Sequence, residues 1–189
     1  MELVYDFFED SAEAVAAVRS RRPLGLGVLG WLLGALSFFA AMAVSGRVSP
    51  LPWGGLELAF CLLWELATGC ALVAFVHLIA DFQGRRGSAS ELFVLFGLAD
   101  LAWALVVPAV FILTAVCPRA HWLLAASFLI VGYYNLSLKA RCLRDAYQMS
   151  LGRAWVTLAL PYLAAFLAGA LVFSLAIASL LLQILKGLG

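Results

Sequence analysis

The sequence predicts an all-α polytopic membrane protein with five transmembrane helices behind a short N-terminal amphipathic helix. Three observations carry that expectation. Of the 189 residues, 65% are hydrophobic and mean hydropathy is +1.04, whereas soluble domains run near ~45–50% apolar. Charged residues make up only 12%, about half of the usual ~25%. Five apolar stretches, each long enough to cross a hydrocarbon core of ~30 Å, are separated by short polar loops. The chain divides into an interfacial segment, residues 1–22, and a membrane domain, residues 23–189.

A formal net charge of +1 supplies no basic field for nucleic acid, so none is expected as a partner. Cys61, Cys70, Cys117 and Cys142 form no CxxC pair. They read as small apolar packing residues with no disulfide between them. The N-terminus carries Glu2, Asp6, Glu9, Asp10 and Glu13 ahead of its basic residues. That order is the reverse of a signal peptide, so the segment is expected to be retained.

Taken in order, Val4, Tyr5, Phe7 and Phe8 form an apolar cluster before Asp10-Ser11-Ala12-Glu13. An acid three residues after Asp or Ser marks a helix start. A helix is therefore expected from Ser11 to Arg21, lying on the membrane surface by an apolar face of Ala12, Val15, Ala16 and Val18. Pro23 ends it or begins the next. Span one covers 24–45, with Gly30 and Gly34 in a GxxxG spacing that permits close helix contact. A loop with Pro50, Pro52 and an interfacial Trp53 follows. Span two covers 56–80 and holds Glu57, Glu65 and His77.

Span three is announced by Ser88-Ala89-Ser90-Glu91, a capping-box pattern, and runs from about 90 to 116. It contains Asp100, and Pro108 is expected to kink it. Span four starts near His121, reaches Lys139 and extends towards Arg144 as an amphipathic continuation. A turn follows at 149–152. Span five then runs to about Lys186, more than 30 residues or roughly 50 Å at ~1.5 Å each. That exceeds the bilayer core, so it must start outside, tilt or bend at Pro161. Ala170, Ser174 and Ala178 repeat every four residues, a helix-packing stripe that with the GxxxG suggests a homo-oligomer or another membrane protein as partner.

Three local patterns are similar to those of the Yip family, small five-span membrane proteins named for interaction with Ypt/Rab GTPases. They are VYDFFEDSAEAVAAVRSRRPLG, a phenylalanine-led entry into span one; HLIADFQGRRGSASELFVLFGLA, a span end, basic Gly-rich loop and small-residue span start; and LRDAYQMSLGRAWVTLALP, around a Gly-Arg-Ala helix start. Their order covers nearly the whole chain. The sequence departs from the family where a proline often follows the small residues of span three. Here Asp100-Leu101-Ala102 stands there, and the proline comes at Pro108. The resemblance implies a non-enzymatic scaffold or membrane-organising, trafficking-like role. It supplies no catalytic residues.

Glu65 and Asp100 are the foremost functional candidates, because a charge inside a span costs ~2.5–3.5 kcal/mol or more. Counted at ~1.5 Å per residue from the cytoplasmic ends of their spans, Glu65 lies about 22 Å deep and Asp100 about 14 Å, so the two are not level. Tyr133 or Tyr134 on span four is expected to donate a hydrogen bond to Asp100. The two acids define the alternative function, a small transporter, channel or lipid-handling protein. The other reading of each acid is a protonated group that glues helices together. His77 and Asp81 share a helix face at the interface. No HExxH or Cys/His cluster joins them, so neither a metal nor another cofactor is expected. Lys139, Arg141, Arg144 and Arg153 form a basic hairpin suited to anionic lipid headgroups or a protein partner. No phosphate-loop or nucleophile-elbow motif is present and no GxGxxG follows a strand, so no enzyme activity is expected.

Three basic residues precede span one, two lie in the loop after span two, and four lie in the hairpin. Only Arg47, Arg119 and Lys186 fall on the other side. Nine of twelve positive charges on one side predict a cytoplasmic N-terminus and a C-terminus on the opposite face. In a bacterial cell this would be the inner membrane. A reporter fused to the C-terminus is expected to be silent if it works only in the cytoplasm. Activity of that reporter would overturn the span count or the orientation.

Overall fold

The computed structural model describes residues 2–9, 11–21, 23–46, 55–117 and 120–187. It is all helical over these residues. Eight α-helices follow in order: α1 (Glu2–Glu9), α2 (Ser11–Arg21), α3 (Leu24–Val44), α4 (Gly55–Phe82), α5 (Ala89–Asp100), α6 (Val106–Val116), α7 (His121–Tyr147) and α8 (Leu151–Gly187), with a 3-10 turn (Leu101–Leu105) joining α5 to α6. Five stretches are long and apolar enough to cross a membrane: α3, α4, α5 through α6, α7 and α8. The chain is therefore an integral membrane protein of five spans. Asp10, Arg22, the loop with Arg47, Pro50, Pro52 and Trp53, and Arg119 lie outside the described residues.

The α5 helix is the centre of the bundle. Leu92 and every residue from Val94 to Asp100 are buried, so it has no solvent- or lipid-facing side. Such a helix needs neighbours that approach closely on several sides. Glycine supplies that on the α3 side. A methyl group on Gly27 would meet Val94 Cα at 2.8 Å, and one on Gly34 would meet the Asp100 carbonyl at 2.7 Å. At Gly30 it would collide with the Gly97 carbonyl. The GxxxG pattern is thus used inside the chain, against α5, and not in a dimer seam. Gly69 on α4 gives the same clearance to the Trp31 ring.

The turn between α5 and α6 has a local cause. Pro108 has no N–H, so the carbonyl four residues earlier, at Ala104, loses its helical donor. The chain takes 3-10 geometry over the preceding segment, Leu101–Leu105. Ser88 stands at the N-cap of α5 in extended conformation, as the sequence suggests, but its hydroxyl does not cap the helix. It lies 2.8 Å from Ser90 Oγ, and Glu91 pairs with Arg19 at 3.3 Å.

That pair joins α2 to α5, and the face that α2 buries differs in part from the expected one. Phe7, Ala14, Val15 and Val18 belong to the main hydrophobic core, while Ala12 and Ala16 are exposed. Thus α2 docks on α5 and α7 with α1 packed against it, and Arg19 also donates to the Ala146 carbonyl at 3.2 Å. At the other extreme, Ala154, Thr157 and Leu158 are the buried residues of α8 among those described. From Tyr162 to Leu180 it is exposed throughout, including Ala170, Ser174 and Ala178.

The tight α3–α5 crossing makes a direct prediction. Gly30→Ala should lower stability by about 1–3 kcal/mol, the usual cost of overpacking, seen as an earlier midpoint in detergent unfolding. Gly25→Ala, where no heavy atom lies within 4 Å, should leave the midpoint in place. Equal midpoints would contradict the crossing.

Candidate functional site

Two polar centres occupy the membrane-spanning part, and they differ in kind. The first is closed. Lys139 Nζ on α7 lies 2.7 Å from Asp100 Oδ1 at the end of α5, with both side chains about 95% buried. Asn135, one turn before Lys139, donates to the same oxygen at 2.8 Å and to the Ala99 carbonyl at 2.9 Å. The ammonium also sits 4.8 Å from the centre of the Trp31 ring and 5.7 Å from that of Phe96. An aromatic face attracts a cation through its quadrupole, so the charge is enclosed by a carboxylate and two rings. Trp31 is itself fixed by its Nε1 donating to the Phe93 carbonyl at 3.2 Å.

This arrangement corrects two expectations. The partner of Asp100 is neither Tyr133, which is 67% exposed, nor Tyr134, which is 37% exposed. Lys139 is not part of an outward-facing basic hairpin. Both corrections have one cause: α7 continues to Tyr147. Measured from that end, Asn135 lies about 18 Å in, and Asp100 lies about 17 Å from the start of α5 at ~1.5 Å per residue. Asn135 and Lys139, four apart, therefore share the face at the level of Asp100. Tyr133 instead stacks on Trp155 of α8, with ring centres 6.0 Å apart.

The second centre is open. A cavity of about 880 Å³ lies between α3 and α4 and is closed at one side by Trp103 of the 3-10 turn. From α3 come Gly34, Phe38 and Met42, and from α4 come Phe60, Trp64 and Glu65. Glu65 is half-buried and is the one charged residue among the described residues that line it. Phe38 meets Trp103 edge-on at 5.0 Å, and Phe60 stacks with Trp64 at 6.2 Å. Gly34 separates this space from the closed centre, since a methyl group there would lie 2.8 Å from Asp100 Cβ. The two acids are thus near one another but do different work. Asp100 is committed inside the protein, while Glu65 faces a space large enough for a ligand.

The remaining candidates lie at the end of the bundle that carries α1 and α2. His77 Nδ1 is 2.6 Å from the Tyr147 hydroxyl, which ties α4 to the end of α7. Asp81 is exposed one turn on. Among the described residues no cluster of three His, Cys, Asp or Glu side chains has the geometry to hold a metal. Arg141 and Arg153 are exposed, and Arg144 forms a two-pronged pair with Asp145 at 2.6 and 2.9 Å. The α7 helix ends at Gln148 in left-handed conformation, φ 49°, and Arg85 donates to the Gln148 carbonyl at 3.3 Å. Cys142 is buried in the core, and all four cysteines are free.

No family model, no curated protein and no solved structure matches this chain.

Proposed function

We propose that the protein is a non-enzymatic, lipid-handling membrane protein that admits an apolar or amphiphilic molecule from the bilayer between α3 and α4. The observation that carries this reading is the cavity of about 880 Å³ beside Glu65. Its size falls within the ~300–1,000 Å³ of small-molecule sites. Its walls are almost wholly apolar, so water is a poor occupant and a hydrocarbon chain a good one. A transport pathway that uses Asp100 has less support, because that carboxylate is held by Lys139 and Asn135.

A Yip-type scaffold role is the second reading. It is favoured by α2 docked on α5 and α7 and by exposed Arg21, Arg86, Arg141 and Arg153 on the segments at the same end of the bundle. On the positive-inside rule that end is cytoplasmic, where anionic lipids or a protein partner would meet it.

A phospholipid with a photoactivatable group on its acyl chain tests the lipid-handling reading in reconstituted vesicles. Adducts should concentrate on Phe38, Met42, Phe60 and Trp64, and Ala35→Trp, which fills the cavity, should reduce them severalfold. Labelling no denser there than along the exposed length of α8 would overturn the reading.

A further inference from the structure

We propose that the cavity between α3 and α4 is a binding site for lipophilic organic cations, molecules that carry a delocalised positive charge on an apolar body. This deepens the lipid-handling reading and rests on the cavity admitting an amphiphile at all.

Charge is the first argument. Glu65 lines the cavity and no Lys, Arg or His does so among the described residues. A carboxylate ten residues into α4, about 15 Å from its start, is far from headgroups and bulk water. Ionised there, it needs a counter-cation. The nearest intramembrane ammonium is Lys139, and it is fixed on Asp100 at 2.7 Å and enclosed by Trp31 and Phe96. Glu65 has no ion pair among the described residues, and it lines the cavity.

The walls are the second argument. Phe38, Phe39, Phe60, Trp64 and Trp103 supply five aromatic rings around that acid. Ring faces attract weakly hydrated cations and reject anions. The protein already uses this chemistry one helix layer away, where Lys139 sits over Trp31. A compact, strongly hydrated ammonium would lose too much solvation here. A charge spread over an apolar frame loses little and gains both the carboxylate and the rings. A phospholipid can place only its acyl chains at the depth of Glu65, because its charged headgroup belongs at the interface, so it leaves the carboxylate without a counter-charge.

Tetraphenylphosphonium and tetraphenylborate test this directly, since they share shape and apolar surface and differ in the sign of charge. Binding to the full-length protein in nanodiscs is measured by equilibrium dialysis against protein-free nanodiscs. Saturable tetraphenylphosphonium binding is expected, with at least tenfold weaker binding in Glu65→Gln and partial recovery in Glu65→Asp. Trp64→Leu should weaken it severalfold. Tetraphenylborate should show no component above the protein-free control. Equal binding of the two ions, or tetraphenylphosphonium binding unaltered in Glu65→Gln, would overturn the cation site. Persistent acyl-chain labelling of Phe60 and Trp64 in that case leaves the lipid-handling reading intact. Loss of both signals removes the two together.

Discussion

The Lys139–Asp100 pair is the interaction on which the rest of the bundle depends. It joins α7 to the end of α5, and it does so where neither charge can reach water. Two ions taken out of water lose several kcal/mol each in hydration, and their attraction offsets this only with good geometry and further hydrogen bonds. The further contacts are present. Asn135 donates to the shared oxygen, and the ammonium rests between the faces of Trp31 and Phe96. One oxygen, Asp100 Oδ2, is buried with no hydrogen-bond partner, and an unsatisfied buried acceptor costs about 1–3 kcal/mol. The pair is thus a specifying contact more than a source of net stability. A one-turn slip of α7 along α5 would leave two uncompensated charges in the membrane.

The glycines follow from the same constraint. For Trp31 to cover Lys139, α3 must lie close against α5, and Gly27, Gly30 and Gly34 make that approach possible. Gly69 then receives the Trp31 ring from the α4 side. Small residues are thus concentrated where the polar centre needs cover, and larger ones lie elsewhere. Past Asp100, Phe38 and Met42 of α3 face the cavity beside Glu65 together with Phe60 and Trp64 of α4. One carboxylate is locked by the packing, and the other is left facing space by the same helices.

The five spans were legible because a bilayer imposes length and composition, and both can be counted along the chain. The start of α5 near Ser90 and the helix from Ser11 to Arg21 were legible from their capping residues, although the hydroxyl of Ser88 bonds Ser90 and not the backbone. The role of Lys139 was not legible. A lysine beside Arg141 and Arg144 reads as interfacial, and only the continuation of α7 to Tyr147 places it two turns inside. The i,i+4 spacing of Asn135 and Lys139, counted back from the turn at Gln148, is the signal that marks it. The 3-10 turn was displaced from Pro108 because the missing donor acts on the preceding carbonyl. The cavity left no mark in the pattern, since its walls come from α3, α4 and the 3-10 turn, which are separate in the chain.

The most direct test of this account is a double-mutant cycle with Asp100→Leu and Lys139→Met, read as unfolding free energy in detergent. Each single change strands one buried charge and should cost about 3–5 kcal/mol. The double variant removes both charges and should lose far less than the sum, with stability recovered towards wild type. Additive losses, or single variants as stable as wild type, would contradict a buried ion pair at the centre of the fold.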